Sequence, residues 1–220
     1  MTALECTDWD GVTMRDTYKP YVVAGRDRLA DAARDGAWDQ VLEIMQTHSG
    51  WVNAARVGGR SGYAPLHQAA WHGAGRDVVE RLISLGAWRT LRTSSGERAA
   101  GLAAARGHAH LLDLLEPEVR QHVPAETLAA LERRFYLLIE DVSDGLASRQ
   151  QLKLPQLEIL TELSTGSEMG FPVPGMYGGF TFRLDQDALI VESWWRVVQG
   201  SGQRHRITAD GITLLESGFV

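Results

Sequence analysis

Two histidines five residues apart, His67 and His72, flank Trp71 in the stretch APLHQAAWHG at residues 64–73. Imidazole pairs serve as metal ligands or as acid/base groups. On a helix, five residues at about 100° each place the two rings roughly 140° apart around the axis, so they do not converge on one metal. A helical metal pair needs i,i+4 spacing, as in H-E-x-x-H. Other chemical signatures are missing as well. Cys6 is the single cysteine, the cluster GMYGGF at 175–180 has neither dinucleotide nor phosphate-loop spacing, and no G-x-S-x-G elbow occurs. The sequence therefore specifies no catalytic set, no metal site and no cofactor.

The last fifty residues hold the other group of reactive side chains. Alternation along 188–198 puts Glu192, Trp194 and Arg196 on one face, where Arg204 and Arg206 of the next strand and Arg183 of the preceding one join them. Such a face accommodates a small anionic ligand, a carboxylate or a phosphate, or else spends its arginines on cross-strand pairs with acidic neighbours. Tyr177, Glu192, Trp194, Arg196, Arg204 and His205 are the candidate lining of a small-molecule pocket. His205 alternates with the arginines and is expected to face the opposite way, toward helices.

The elements that position these residues begin with an internal repeat. Three segments align on an Ala-Ala pair followed three residues later by glycine: Ala32, Ala33 and Gly36; Ala69, Ala70 and Gly73; Ala103, Ala104 and Gly107. The glycines are 37 and 34 residues apart, which suits a repeat of about 33 residues with small insertions. Small residues let one helix lie close to its neighbours, and glycine permits the turn into a second. The second helices carry apolar residues at helical spacing: Val41, Leu42 and Met45, then Val78, Val79, Leu82 and Ile83, then Leu111, Leu112, Leu114 and Leu115. Stacking of such pairs buries what one pair alone cannot.

On these residues, and above all on APLHQAA followed by GAGRDVVERLISLGA, residues 27–116 resemble the ankyrin repeat. The resemblance implies that His67 hydrogen-bonds to hold the repeat loop and its neighbour. Ala64 stands where a threonine usually opens the motif, so the hydroxyl that would bond this histidine is absent, and Gly101 replaces the histidine in the third unit. It further implies that Gln68, Trp71 and His72, with Arg34 and Asp35 in the first unit, Arg60 and Tyr63 on the loop and Arg106 in the third unit, line a concave face that binds a protein. Trp38, Trp51 and Trp88, at element boundaries, read as packing plugs.

After Leu115 the pattern changes. Pro124 opens a helix whose Leu128, Leu131, Phe135, Leu138 and Val142 share one face and are expected to cap the open end of the stack. Residues 154–163 suggest a shorter helix. Beyond a glycine- and proline-rich connection come four strand-like runs, 180–184, 188–198, 203–208 and 212–216. The expected fold is α+β, with a short ankyrin-like helical stack capped by helices and followed by a small antiparallel four-stranded β-meander. Its divisions are an N-terminal tail at 1–25, repeats at 26–122 and a capping-plus-β unit at 123–220.

A formal net charge of -6 among 220 residues argues against nucleic acid or anionic membrane as partner, since both require clustered positive charge. No apolar run approaches the length of a membrane span and no secretory leader is signalled. One cysteine forms no internal disulfide, which favours the cytoplasm. Three functions remain open: a module whose repeat face binds a protein partner, a small-molecule or catalytic pocket in the C-terminal unit, and an immunity or inhibitor protein that neutralises a basic toxin.

Overall fold

A computed structural model describes residues 6–195 and 201–218, apart from the side chains of Cys6 and Ser201. The described chain forms two compact units, one of residues 14–118 and another in which residues 6–13 join those from 119 onward. The segment treated as a tail in the sequence divides between them.

The first unit is three helical pairs. Its elements are α1 (Pro20–Arg34) with α2 (Trp38–Thr47), α3 (Pro65–His72) with α4 (Arg76–Ser84), and α5 (Ala99–Ala105) with a 3-10 turn at Ala109–Leu111 that runs into α6 (Leu112–Leu115). Proline at the start of α1 and α3 costs no hydrogen bond, because a first-turn N–H has no intrahelical partner. The turn between the helices is built in the same way three times. Ala37 donates to the Ala32 carbonyl at 2.9 Å, Ala74 to Ala69 at 3.0 Å and His108 to Ala103 at 2.9 Å. Each bond spans a left-handed glycine, Gly36, Gly73 or Gly107, with φ of 72°, 62° and 76°. A side chain there would meet its own carbonyl, so the alignment glycines are a backbone requirement.

Ala32, Ala69 and Ala103 are buried where these helices approach, and Val41, Met45, Val79, Leu82, Leu111 and Leu115 complete the core. Leu112 departs from its expected core place and is 37% exposed. It starts α6 directly after a 3-10 turn, which shifts the buried stripe to Leu111 and Leu115. Trp88 is buried, whereas Trp51 stacks on His48 at 3.9 Å.

The second unit carries a six-stranded sheet, not the expected four-stranded meander. Its strands are β1 (Cys6–Asp8), β2 (Glu168–Val173), β3 (Gly178–Asp185), β4 (Ala188–Trp195), β5 (Ser201–Ile207) and β6 (Ile212–Ser217), in that spatial order. Successive strands from β2 to β6 are antiparallel, while β1 is parallel to β2. Strand β2 lies where Pro172 and the nearby glycines signal a loop. Pro172 nonetheless falls beyond the three β2 residues that β1 pairs, where a missing N–H is tolerated. The alternation of Met169, Phe171 and Val173, all buried, is the strand's signature.

Helix α7 (Ala125–Val142) was expected to cap the helical stack. Its buried stripe of Leu131, Phe135, Leu138 and Ile139 instead meets the sheet. Phe135 lies 4.7 Å from the Phe182 ring and edge-on to Phe180 at 6.3 Å, arrangements that add about 1 kcal/mol per pair beyond area burial. After the short α8 (Leu146–Arg149), the helix expected at 154–163 is a 3-10 segment, Leu157–Glu162. Its first amide, Leu157 N–H, donates to the Glu132 carboxylate of α7 at 2.9 Å, and Gln121 donates to the carbonyls of Leu160 and Leu163. These outside partners satisfy end groups of the 3-10 segment that have no partner within it.

Candidate functional site

Helix α3 presents its unburied side through Gln68, Trp71 and His72, three and four residues apart and thus on one face. Trp71 is 36% exposed. The Arg106 guanidinium, at the end of α5, lies 3.8 Å from the centre of its ring, and the Tyr63 ring meets it edge-on at 6.2 Å. An arginine stacked on an indole keeps its N–H edges available while the ring shields its faces. Tyr63 is partly buried, and that burial, with the Glu97 carboxylate second, pushes its phenol above the ordinary value; Arg106 opposes the shift. The hydroxyl therefore stays protonated at neutral pH and can donate.

The rest of this group is tied to structure. His72 Nε2 bonds the Arg34 carbonyl at 2.7 Å and its ring meets Trp38 edge-on at 6.0 Å. Arg34 holds Asp31 and Asp35, both at 2.9 Å. Arg60 is exposed on the loop before Tyr63. Of the eight surface candidates, the structure thus brings Tyr63, Trp71 and Arg106 into one cluster, and Arg34, Asp35 and His72 into a second.

His67 is 1% exposed and is held by backbone groups on both ring nitrogens. The Ala64 N–H donates to its Nδ1 at 3.1 Å, so Nδ1 is unprotonated and Nε2–H donates to the Leu91 carbonyl at 2.9 Å. The backbone amide of Ala64 thus satisfies one side of the ring and the Leu91 carbonyl the other. Two histidines that sequence reasoning passed over act alike: His108 bonds the Trp71 carbonyl at 3.2 Å and His110 the Ala74 carbonyl at 3.2 Å. Their only sequence signal is their place one and three residues after the repeat glycine Gly107.

The C-terminal candidates do not converge. Register places Glu192 opposite Arg204, on the sheet face away from α7, whereas His205 stands opposite Val191 on the buried face. On the outer face, Arg204 donates to Glu192 at 2.7 Å and to Glu216 at 2.8 Å, Arg206 to Asp185 at 2.8 Å, and Arg183 lies 3.5 Å from Glu168. These guanidinium groups already have carboxylates. Arg196 lies outside the described residues. Trp194 stands opposite Gly179 on one side and Gly202 on the other, the position of an aromatic that covers bare strand backbone. Tyr177, 80% exposed, projects from the β2–β3 turn with φ 53°. Among the described residues, no three His, Cys, Asp or Glu side chains group as a metal site, and no helix is long and apolar enough to cross a membrane.

Burial pushes His205 below its ordinary value, with the Asp141 carboxylate opposing, and its Nδ1 has no hydrogen-bond partner. The folded state disfavours imidazolium, while the unfolded chain takes up a proton near pH 6.5. Stability is therefore full above that value and falls as the pH drops through it toward the lower folded value. The melting temperature of the wild type is expected to decline between pH 7 and pH 5 by more than that of His205→Gln, as read by scanning calorimetry of both proteins. Parallel curves would assign the acid sensitivity to other groups.

In comparison with known proteins, the chain matches no family model and no curated protein.

Proposed function

We propose that this chain is a protein-interaction module of a cytoplasmic protein, in which ankyrin-like helical pairs hold a partner protein through the face built from Tyr63, Trp71 and Arg106. The observation that carries the reading is the Arg106–Trp71–Tyr63 cluster, with the indole half sandwiched and still 36% exposed. Tryptophan, tyrosine and arginine are the residue types that dominate binding energy at protein interfaces. Restrained by its neighbours, Trp71 also loses little side-chain entropy when a partner covers it. The alternative, a C-terminal small-molecule pocket, has no such support, because its described candidates stand on opposite faces of the sheet and Arg204 is ion-paired.

Replacement of both Trp71 and Tyr63 by alanine is expected to weaken capture of the partner by at least about 30-fold, from roughly 2 kcal/mol or more per hot-spot residue. The melting temperature should stay within a few degrees of wild type. Affinity purification with mass spectrometric identification, followed by titration of the protein recovered, measures the first quantity, and calorimetry the second. Unchanged capture sinks the proposal, and unfolding of the double variant would make the cluster a packing element.

A further inference from the structure

The surface built from Tyr63, Trp71 and Arg106 offers hydrogen-bond donors without acceptors to match them. Among the described residues, no carboxylate holds Arg106, nor the exposed Arg60 three residues before Tyr63. The Tyr63 hydroxyl and the Trp71 indole N–H have no acceptor either. By contrast, Arg34 holds Asp31 and Asp35, and Arg76 holds Asp113. Charge along the chain points the same way. Residues 14–118 carry 13 Lys and Arg against 12 Asp and Glu, and the rest of the chain 9 against 16, so the net negative charge lies outside the helical unit. Residues 92–106, which lead into and form α5, bring three arginines against one carboxylate, Glu97. That carboxylate accepts the Ser95 hydroxyl at 2.8 Å and leaves Arg106 unpaired.

We infer that this surface takes an acidic segment of the partner protein, whose Asp or Glu carboxylate receives the Arg106 fork while an adjacent apolar side chain covers the open part of the Trp71 ring. The inference rests on the interaction reading above and supplies the partner's chemistry. A guanidinium presents parallel N–H donors that match a carboxylate two at a time. Stacking at 3.8 Å on the indole already holds the Arg106 group, so pairing costs it little side-chain freedom. The protonated Tyr63 hydroxyl is a further donor beside it. A basic segment would set like charges against Arg60 and Arg106 and be repelled. A nucleic acid strand is anionic too, but its phosphates recur along its whole length. Here Glu97 stands close to Tyr63, and the neighbouring cluster of Arg34 and His72 carries Asp35. The unmatched positive charge is thus local, which suits a short group of carboxylates and not a continuous polyanion.

Selection of a phage-displayed random-peptide library on the immobilised full chain tests this. The recovered peptides are expected to be enriched in Asp and Glu over the starting library, next to an aliphatic or aromatic residue. A synthetic copy of the most frequent peptide, titrated by fluorescence anisotropy, should bind Arg106→Gln about tenfold more weakly or worse. Arg106→Lys, which keeps the charge but not the fork, should recover only part of that loss. Calorimetry checks that both variants melt with the wild type. Affinity for the wild type should also fall as salt is raised, a reading that needs no variant. A selection that recovers no peptide, or peptides without acidic enrichment, overturns the inference, as does an affinity that neither Arg106→Gln nor salt changes. Displacement of the peptide by a tighter-binding oligothymidylate would make the partner a nucleic acid and overturn it equally. Binding to Trp71→Ala reports separately on the interaction reading: peptides of any composition that are lost there leave that reading standing, and peptides indifferent to Trp71→Ala sink both.

Discussion

Gly178→Ala is expected to destabilise the sheet unit by at least about 3 kcal/mol, a large part of the 5–15 kcal/mol that holds a domain of ordinary stability. A Cβ at this position would be driven into the Trp194 carbonyl oxygen, with the Trp194 carbonyl carbon at 2.9 Å and the Trp195 Cα at 3.1 Å. All three atoms are backbone, so no rotamer change relieves the clash. Relief requires that β3 and β4 separate at the Gly178–Trp195 pair. The control is Gly211→Ala, where a Cβ meets nothing within 4 Å and stability should change by no more than about 0.5 kcal/mol. Urea unfolding followed by tryptophan fluorescence compares the two. Equal midpoints would refute the reading that the GG of GMYGGF serves strand approach.

The second large effect belongs to the other unit. His67→Leu keeps an apolar side chain of similar bulk but strands the Ala64 N–H and the Leu91 C=O, both now satisfied by the ring. Each buried orphan costs about 1–3 kcal/mol, so a total loss of about 2–6 kcal/mol is expected. His72→Ala removes one exposed bond, to the Arg34 carbonyl, and should cost about 1 kcal/mol or less. Urea unfolding monitored by far-ultraviolet circular dichroism separates these values. If the two variants lose similar stability, His67 is not the residue that ties the loop before α3 to Leu91.

The helical half was legible in the sequence because its signals are local. An Ala-Ala pair, a left-handed glycine and apolar residues at helical spacing specify each pair independently, and the same amide bond, donated by Ala37, Ala74 or His108 to an alanine carbonyl five residues back, recurs in all three. The sheet was legible only in part. Strands β3 to β6 lie close together in sequence, and alternation between turn residues revealed them, whereas Pro172 and its nearby glycines hid β2, and β1 depends on a pairing between residues 6 and 168 that no local pattern encodes. The face of α7 was correctly seen as apolar, but what fills it was not. Amphipathicity says that a face is buried and is silent on the partner. In the candidate sites, the repeat resemblance pointed to Trp71, Tyr63 and Arg106, and spacing separated His67 from His72. Only three-dimensional pairing could show that Arg183, Arg204 and Arg206 are matched by Glu168, Glu192, Glu216 and Asp185.

The parallel strand β1 has a consequence for how the chain comes to be folded. Cys6, Thr7 and Asp8 pair with Glu168, Met169 and Gly170, Trp9 N–H donates to the Gly170 carbonyl, and the Trp9 indole donates to the Lys153 carbonyl at 2.7 Å. The helical pairs are therefore a sequence insertion within the sheet unit. During synthesis they can complete as soon as their own residues emerge, because their contacts are local. The first-made residues of the sheet unit must wait for the last third of the chain, and the helical unit spends that interval as a finished bead on an unfinished thread.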